Sequence, residues 1–467
     1  MKKKKIHFVG IKGVGMTPLA IIAKEAGFIV SGCDVDEDFI TDESLQKVGI
    51  VPFVGFEPKH VEGMDLIITT GAHVGFENVE VIKAKRLGIG VWTQGQAVGE
   101  FMNGKIFGRV FDGISIAGSH GKTTTTAIIA TILKEAKLDP SFLIGTGNVF
   151  SLGTVGHLGK GKFFVAEADE YATEPKYDKK PKFLWQKPKI LVITNIELDH
   201  PDLFENIAQL SEAFLSLINN TQGSIIACLD DRQFREIKKK ISKNTITYGF
   251  SKDSDFVIDK ISTKKDGIFF WASNKGISLG EFMLNVTGEH NALNAMSAVI
   301  TCLELGISIK DIKRGLAQFM GTKRRSEFIR QLEGGALLFD DYAHHPTEID
   351  KTLRAFKQSY PDKKILCIFQ QHTYSRTKKL FEHFTNSFYN ADEVIFVDIY
   401  SSLREKADPT ISSKTLRDKL FEMGAKAHYF PKLSDVVEYV ASKDYDRNWI
   451  ILTMGAGDVY KIEDSLI

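Results

Sequence analysis

Cysteine is scarce in this chain: Cys33, Cys228, Cys302 and Cys367 are the 4 among 467 residues, and no two form a C-x-x-C pair. That spacing argues against zinc and against a disulfide framework. The four read as buried free thiols in a reducing compartment, which places the protein in the cytoplasm. Long apolar runs are absent too. None approaches the roughly 18 residues of a membrane span. Ile6–Val9, after the basic run Lys2–Lys5, is too short for a signal-peptide core. Neither sign of charge dominates: the net formal charge is +1, which gives no basis for electrostatic capture of nucleic acid or an anionic membrane. Internal repeats and low-complexity linkers are also missing. What remains is an ordinary globular composition, 43% hydrophobic and 25% charged, in a chain too long for one core. Length alone suggests about three domains.

Against that background, residues 118–126, Gly-Ser-His-Gly-Lys-Thr-Thr-Thr-Thr, stand out. Ile114-Ser115-Ile116-Ala117 alternates and runs apolar, as a buried strand end does. Ile128, Ile129, Ile132 and Leu133 give Thr123–Glu135 an apolar helical side. Strand, glycine loop, lysine, hydroxyls and helix in that order make a phosphate cradle. Glycines let backbone N–H groups turn inward, the helix N-terminus adds positive dipole, Lys122 reaches the β/γ-phosphates and Thr123 offers an oxygen to Mg²⁺. Ile116 stands where a full Walker A loop has glycine.

The other polar clusters also follow apolar strands. Ile6–Val9 runs into Gly10-Ile11-Lys12-Gly13-Val14-Gly15-Met16, a helix from Thr17 to Ala26, and a strand Phe28–Gly32 leading to Asp34. This is a β-α-β nucleotide unit, although its G-x-x-G-x-G order departs from the dinucleotide fingerprint. It marks a phosphate site without naming the nucleotide. Asp34 takes a ribose hydroxyl or caps the strand end. Leu66–Thr70 ends in Thr70-Gly71-Ala72-His73. Phe163–Ala166 leads to Glu167-Ala168-Asp169-Glu170, where a carboxylate beside a phosphate loop suits Mg²⁺. Ile190–Thr194 leads to Asn195-Ile196-Glu197-Leu198-Asp199-His200, which gives His200 a metal or phosphate role. Phe256–Ile261 and Gly267–Ala272 are expected to form a β-hairpin outside the main sheet. Asn291 and Asn294 share a helix face after Gly288, with His290 in the same turn, and offer the donor and acceptor an adenine edge needs. In the last third, Asp340–Pro346, Gln370–Arg376 and Met454–Asp458 all follow strands at one sheet edge, where open α/β sheets bind ligands.

Taken in order, these stretches resemble the Mur ligases, the ATP-dependent amino-acid ligases of peptidoglycan precursor synthesis. The resemblance runs through Gly10–Met16, the 118–125 loop, Glu-Ala-Asp-Glu at 167–170 and Thr-Asn-Ile-Glu-x-Asp-His at 194–200. It continues through Gly-x-His-Asn-x-x-Asn at 288–294, Arg324-Arg325 and Asp-Asp-Tyr-Ala-His-His-Pro-Thr-Glu at 340–348. It implies an α/β fold of three domains. Residues 1–103 form a Rossmann-like domain for the UDP-sugar, 104–323 a central P-loop ATPase-type domain, and 324–467 a Rossmann-like domain for the amino acid.

The resemblance also implies site residues. The UDP-sugar would lie on Gly10, Gly13, Val14, Gly15 and Met16, with Asp34, Thr70 and His73. ATP would take Gly118, Ser119, His120, Gly121, Lys122, Thr123, Thr124 and Arg325, with His290, Asn291 and Asn294 toward adenine and Asp341 on the ribose. Thr123 and Glu167 would hold one Mg²⁺ and His200 a second. Lys122, His200, Arg325 and His344 are the expected catalytic residues, and His372, Arg376 and Gly455 those for the incoming amino acid. His372-Thr373-Tyr374-Ser375-Arg376-Thr377 and Gly455-Ala456-Gly457-Asp458 resemble the branch that adds L-alanine to UDP-N-acetylmuramate. Some members carry Arg where Thr373 stands. The 202–223 stretch lacks the lysine that is often carbamylated in later-step ligases, which also favours alanine. Glu-Ala-Asp-Glu-Tyr and Tyr177–Phe183 instead resemble the murein-recycling ligase, which adds the tripeptide L-Ala-γ-D-Glu-meso-diaminopimelate to the same sugar nucleotide. The family's C-terminal domain chooses the amine, so alanine is expected. No nucleic-acid or membrane partner is expected, and the chain is expected to act as a monomer or homodimer.

Overall fold

The computed structural model describes residues 3–265, 267–401 and 405–466. The first sheet is parallel and five-stranded. Lys5–Val9 lies at its centre, with Ile29–Asp34 and Phe53–Val54 on one side and Leu66–Thr69 and Gly90–Thr93 on the other. Strand order reverses beside Lys5–Val9. The loop from Gly10 leaves the sheet at that reversal, where such sheets open a crevice. Alternation along Lys5–Val9 sends Ile6 and Phe8 into one core and Val9 into another.

The middle sheet has ten strands. From Phe256–Lys264 through Thr245–Gly249, Ser224–Cys228, Ile190–Ile193, Asp112–Ala117 and Phe163–Ala168 to Ser141–Leu143, every neighbour runs parallel. The expected separate hairpin is corrected here. Phe256–Lys264 pairs in parallel with Thr245–Gly249 through Tyr248↔Phe256 and Gly249↔Val257, so it and Gly267–Asn274 extend the main sheet. A further strand, Ile277–Leu284, closes that edge. The period-2 pattern signals strands but not which free edge they join. Phe256, Ile258, Phe270 and Phe282 decide it, because they pack into the same core as the helices Lys122–Glu135 and Glu289–Glu304.

In the third sheet Leu337–Asp341, Trp449–Gly455, Lys364–Gln370, Glu393–Phe396 and Ala427–Tyr429 lie side by side in parallel, with Glu327–Gln331 antiparallel at one edge. Asp340 and Asp341 complete a strand. The helix that follows starts only at Pro346, where His345 and Glu348 form a capping box.

The two domain contacts differ in kind. Phe101 and Met102, from the helix Gln94–Asn103, share an apolar core with Phe111, just before strand Asp112–Ala117, and with Phe164 of the middle sheet. The last domain meets the middle one through polar pairs, described next. Apolar contact fixes the first pair of domains.

Candidate active site

Strand Asp112–Ala117 delivers Gly118 into the loop, and the helix takes over at Lys122. Gly118 (φ +136°) and Gly121 (φ +83°) hold backbone conformations that side chains avoid, and a Cβ at Gly118 would meet the Thr194 hydroxyl. Asn195 pins the loop: its Oδ1 accepts from the His120 N–H at 2.9 Å and its Nδ2 donates to the His120 carbonyl at 2.9 Å. Ser119 Oγ donates to the Glu197 carbonyl at 2.6 Å. Gly118→Ala is expected to lower ATP turnover about tenfold or more through this strain. Steady-state rates check it, with unchanged far-ultraviolet circular dichroism as the folding control.

Lys122 Nζ turns back over the loop and donates to the Ser119 carbonyl (3.2 Å) and to Glu170 Oε2 (2.9 Å). Burial pushes Glu170 up to about 7 against the pull of Lys122. Thr123 Oγ1 donates to Glu167 Oε2 at 3.1 Å. Nearby, ligand atoms of Glu170, Asp199 and His200 lie within 4.8 Å of one another. Glu170 Oε1 is buried with no hydrogen-bond partner. Hydroxyl and carboxylate oxygens suit Mg²⁺, and an orphaned carboxylate oxygen is what such an ion satisfies. Burial holds His200 down at about 4, so its ring is neutral at pH 7.

The contacts continue toward the last domain. His200 Nε2 lies 3.8 Å from Glu170 Oε1 and 3.8 Å from Asp199 Oδ2, and Asp199 Oδ1 lies 3.0 Å from Arg376 Nε. Burial alone would raise Asp199, but Arg376, His200 and His344 hold it well below the usual carboxylate range. Arg376 Nη1 donates to the His372 carbonyl. A hollow of about 50 Å³ lies beside this pair, lined among others by Tyr171, His200, His372, Arg376 and Glu405. Gly455 is not in that lining; its carbonyl accepts from Arg324 Nη2 at 2.7 Å. His344 Nδ1 lies 3.0 Å from the Tyr342 carbonyl, and its Nε2 faces Asp199 Oδ2 at 3.9 Å. Burial lowers its pKa.

A cleft of about 610 Å³ opens between the loop, the start of helix Glu289–Glu304 and the last domain. His120, Gly121, Thr123, Thr124, His290, Asn291, Asn294, Arg325 and Asp341 all line it. The amides are partly engaged with one another: Asn294 Nδ2 donates to Asn291 Oδ1 at 3.1 Å. Asp341 Oδ2 accepts from Ser326 N (2.7 Å), and burial pushes its carboxyl up to about 6. Asp230, Asp231, Tyr248 and Lys351 also line the cleft. Asp230-Asp231 follow the apolar strand Ser224–Cys228, a signal the sequence reading passed over, whereas Tyr248 and Lys351 belong to no motif.

Sequence reasoning also gave no role to the clasp over this cleft. His120 Nε2 lies 3.0 Å from Glu197 Oε2 and its Nδ1 3.2 Å from Glu348 Oε1, while Thr347 Oγ1 donates to Glu197 Oε1. Burial disfavours the imidazolium, but Glu348 and Glu197 outweigh it and raise His120 from 6.5 to about 9. A raised histidine stabilises fully below its ordinary value and loses that contribution as pH rises through the folded value. His120→Gln is therefore expected to destabilise by up to about 3 kcal/mol near pH 6. The gap from wild type should close as pH passes about 9. Thermal unfolding midpoints of both proteins across that range check it.

In the first domain, Gly10 (φ +78°) brings its backbone against Thr70, whose Cγ2 would lie 2.5 Å from a Cβ there. Gly13, Val14, Gly15 and Met16 continue the loop into the helix Thr17–Glu25. Asp34 brackets this loop: its Oδ2 accepts from Lys12 N at 2.8 Å and its Oδ1 lies 3.1 Å from His73 Nε2. The expected sugar-nucleotide residues thus meet at the strand-order reversal.

Comparison with known proteins covers the whole chain. Residues 5–106 match "Mur ligase family, catalytic domain", 116–302 "Mur ligase middle domain" and 324–457 "Mur ligase, glutamate ligase domain". The UDP-N-acetylmuramate–L-alanine ligase of Desulfitobacterium hafniense is 39% identical over 465 residues, 99% of each chain. That of Acetivibrio thermocellus is 38% identical over 471 residues, covering 100% of this chain and 96% of the relative. The solved UDP-N-acetylmuramate-alanine ligase MurC of Thermotoga maritima superposes with a TM-score of 0.81 at 26% identity, over 99% of this chain and 98% of that one. Three sheets in that order, a phosphate loop facing a polar-clasped last domain, and full-length similarity agree: the chain belongs to the Mur ligase family.

Proposed function

We propose that this chain is an ATP-dependent ligase joining L-alanine to the lactyl carboxylate of UDP-N-acetylmuramate in peptidoglycan precursor synthesis. One observation carries this reading. The contacts Lys122–Glu170–His200–Asp199–Arg376 run from the phosphate loop to the small hollow between the middle and last domains. Phosphoryl transfer and amine capture therefore share one centre. The L-alanine ligase relatives, 38–39% identical over nearly the full chain, favour alanine over a tripeptide.

In this reading residues 1–103 carry the sugar nucleotide over Gly10–Met16, 104–323 carry ATP and 324–467 carry alanine. The lactyl carboxylate attacks the γ-phosphorus in line, ADP leaves, and the product is an acyl phosphate. Lys122 and Arg325 offset the charge on the transferred group, and positioning does most of the work. Thr123 and Glu167 would hold one Mg²⁺, and His200 beside Glu170 and Asp199 a second; bound there, the ions would supply positive charge to the phosphate oxygens. The alanine amine then attacks the acyl carbon and phosphate leaves. Neutral His344 stands ready to take the amine's proton, and Arg376 with His372 holds the alanine carboxylate. Because Arg376 Nε faces Asp199 and Nη1 faces His372, Nη2 is the donor assigned to that carboxylate. Closure of the last domain keeps water from the acyl phosphate. Among the described residues no helix is long and apolar enough to cross a membrane. The reaction is assigned to the cytoplasm and to a monomer or homodimer.

The acyl phosphate gives the test. The chain is mixed with ATP and UDP-N-acetylmuramate without an amine and quenched into borohydride. The lactyl group is expected to return as the primary alcohol. Recovery of the unreduced acid alone, under conditions that support turnover, would overturn the mechanism.

A further inference from the structure

On the face of the first sheet opposite the helix Thr17–Glu25, four side chains from four elements converge. They are His7 of strand Lys5–Val9, Cys33 of strand Ile29–Asp34, His60 of the turn Pro58–Val61 and Glu80 of helix Val79–Arg86. His7, Cys33 and Glu80 are 0% exposed, and the His60 side chain is 7% exposed. Cys33 Sγ lies 2.9 Å and His7 Nε2 3.1 Å from Glu80 Oε2, and His60 Nδ1 lies 2.7 Å from Glu80 Oε1. All four ligand atoms fall within 4.8 Å of one another.

We propose that His7, Cys33, His60 and Glu80 form a structural zinc site. The donor set is one thiol, two imidazoles and one carboxylate, and that mixture suits Zn²⁺ rather than Mg²⁺ or Ca²⁺. A tetrahedral ion with bonds of about 2.0–2.3 Å needs its ligands about 3.4 Å apart. The contacts to Glu80, now 2.7, 2.9 and 3.1 Å, therefore have to open by about 0.3–0.7 Å, and the wider pairs, within 4.8 Å, have to close. Outer partners are already in place. Ser31 Oγ lies 2.8 Å from His7 Nδ1, which aims Nε2 inward, and Glu57 N–H donates to Glu80 Oε1 at 2.9 Å. The ring of His60 stacks on Phe53 at 4.5 Å, and Phe53 is 47% exposed, so an ion enters past a surface ring. The Cys33 thiol releases its proton to solvent as the Zn–S bond forms, and Glu80 remains a carboxylate.

The site braces the sugar-nucleotide loop. The Cys33 carbonyl accepts the Gly10 and Ile11 N–H groups at 2.9 and 3.1 Å, and the next residue, Asp34, holds Lys12 and His73. Counting C-x-x-C pairs in the sequence cannot find such a site, because its one thiol and three other ligands are spread over residues 7–80.

Co²⁺ titration of the full chain, stripped with a chelator, tests the proposal. The expected result is a thiolate-to-cobalt absorption band saturating at one ion per chain and removed by Zn²⁺. Cys33→Ser should abolish that band. The other candidate metal clusters among the described residues, His120–Glu197–His345 and Glu170–Asp199–His200, contain no cysteine and cannot produce it. If Cys33→Ser fails to fold, His60→Gln at the rim should weaken Zn²⁺ binding at least tenfold in competition with a coloured chelator. No band in the wild-type chain, a band that survives Cys33→Ser, or unchanged Zn²⁺ affinity in His60→Gln would overturn the site.

Discussion

Lys122→Ala is expected to lower kcat by about 10³-fold while leaving the affinity for UDP-N-acetylmuramate within about twofold. The sugar nucleotide is assigned to the first domain, whereas Lys122 acts on the phosphate that moves. The variant has a second consequence. Glu170 is 2% exposed, and Lys122 is its ion-pair partner. Stranding a buried carboxylate costs about 3–5 kcal/mol. Because burial already pushes Glu170 up to about 7, protonation absorbs part of that cost near neutral pH. The double variant Lys122→Ala/Glu170→Gln removes the stranded charge. It should recover stability, which measures the lysine's structural part separately from the turnover lost in the single variant. Near-normal turnover in Lys122→Ala would contradict the assignment. Single-turnover phosphate release and sugar-nucleotide titration measure the two quantities.

Arg376→Ala is the second large effect. Arg376 and Asp199 are 4% and 5% exposed and belong to different domains. Removing the guanidinium strands Asp199 and should destabilise the contact between the domains by about 3 kcal/mol or more. It also removes the donor assigned to the alanine carboxylate, so KM for alanine should rise at least tenfold. Adding Asp199→Asn should restore much of the unfolding midpoint and none of the KM. An unchanged KM in Arg376→Ala would mean that another group holds the amino acid.

These predictions rest on features the sequence disclosed unevenly. The phosphate loop was legible because chemistry fixes its order: strand, glycine, lysine, hydroxyl, helix. Of the residues lining the cleft, Asp341 stood in a polar cluster just past an apolar strand, His120 in the phosphate loop and Asn291 with Asn294 on one helix face, while Arg325 entered only through the family resemblance. The hairpin after Tyr248 was misplaced because alternation reports a strand's faces and not its neighbour. The clasp of His120, Glu197, Thr347 and Glu348 was invisible for a related reason. Its members lie far apart in the chain, and only the packed domains bring a histidine between two carboxylates. Gly455 was grouped with His372 and Arg376 by motif, yet its carbonyl serves Arg324 instead. Glu170 and Asp199 stood inside quoted motifs, but only burial and distance reveal that they link Lys122 to Arg376.

The central claim is that one centre transfers phosphate and captures a single alanine. Its most direct measurement is phosphate release from ATP with UDP-N-acetylmuramate, supplying either L-alanine or the tripeptide L-Ala-γ-D-Glu-meso-diaminopimelate, with mass analysis of the product. The account predicts release with alanine and a product heavier by one alanyl residue. Release with the tripeptide alone would contradict it.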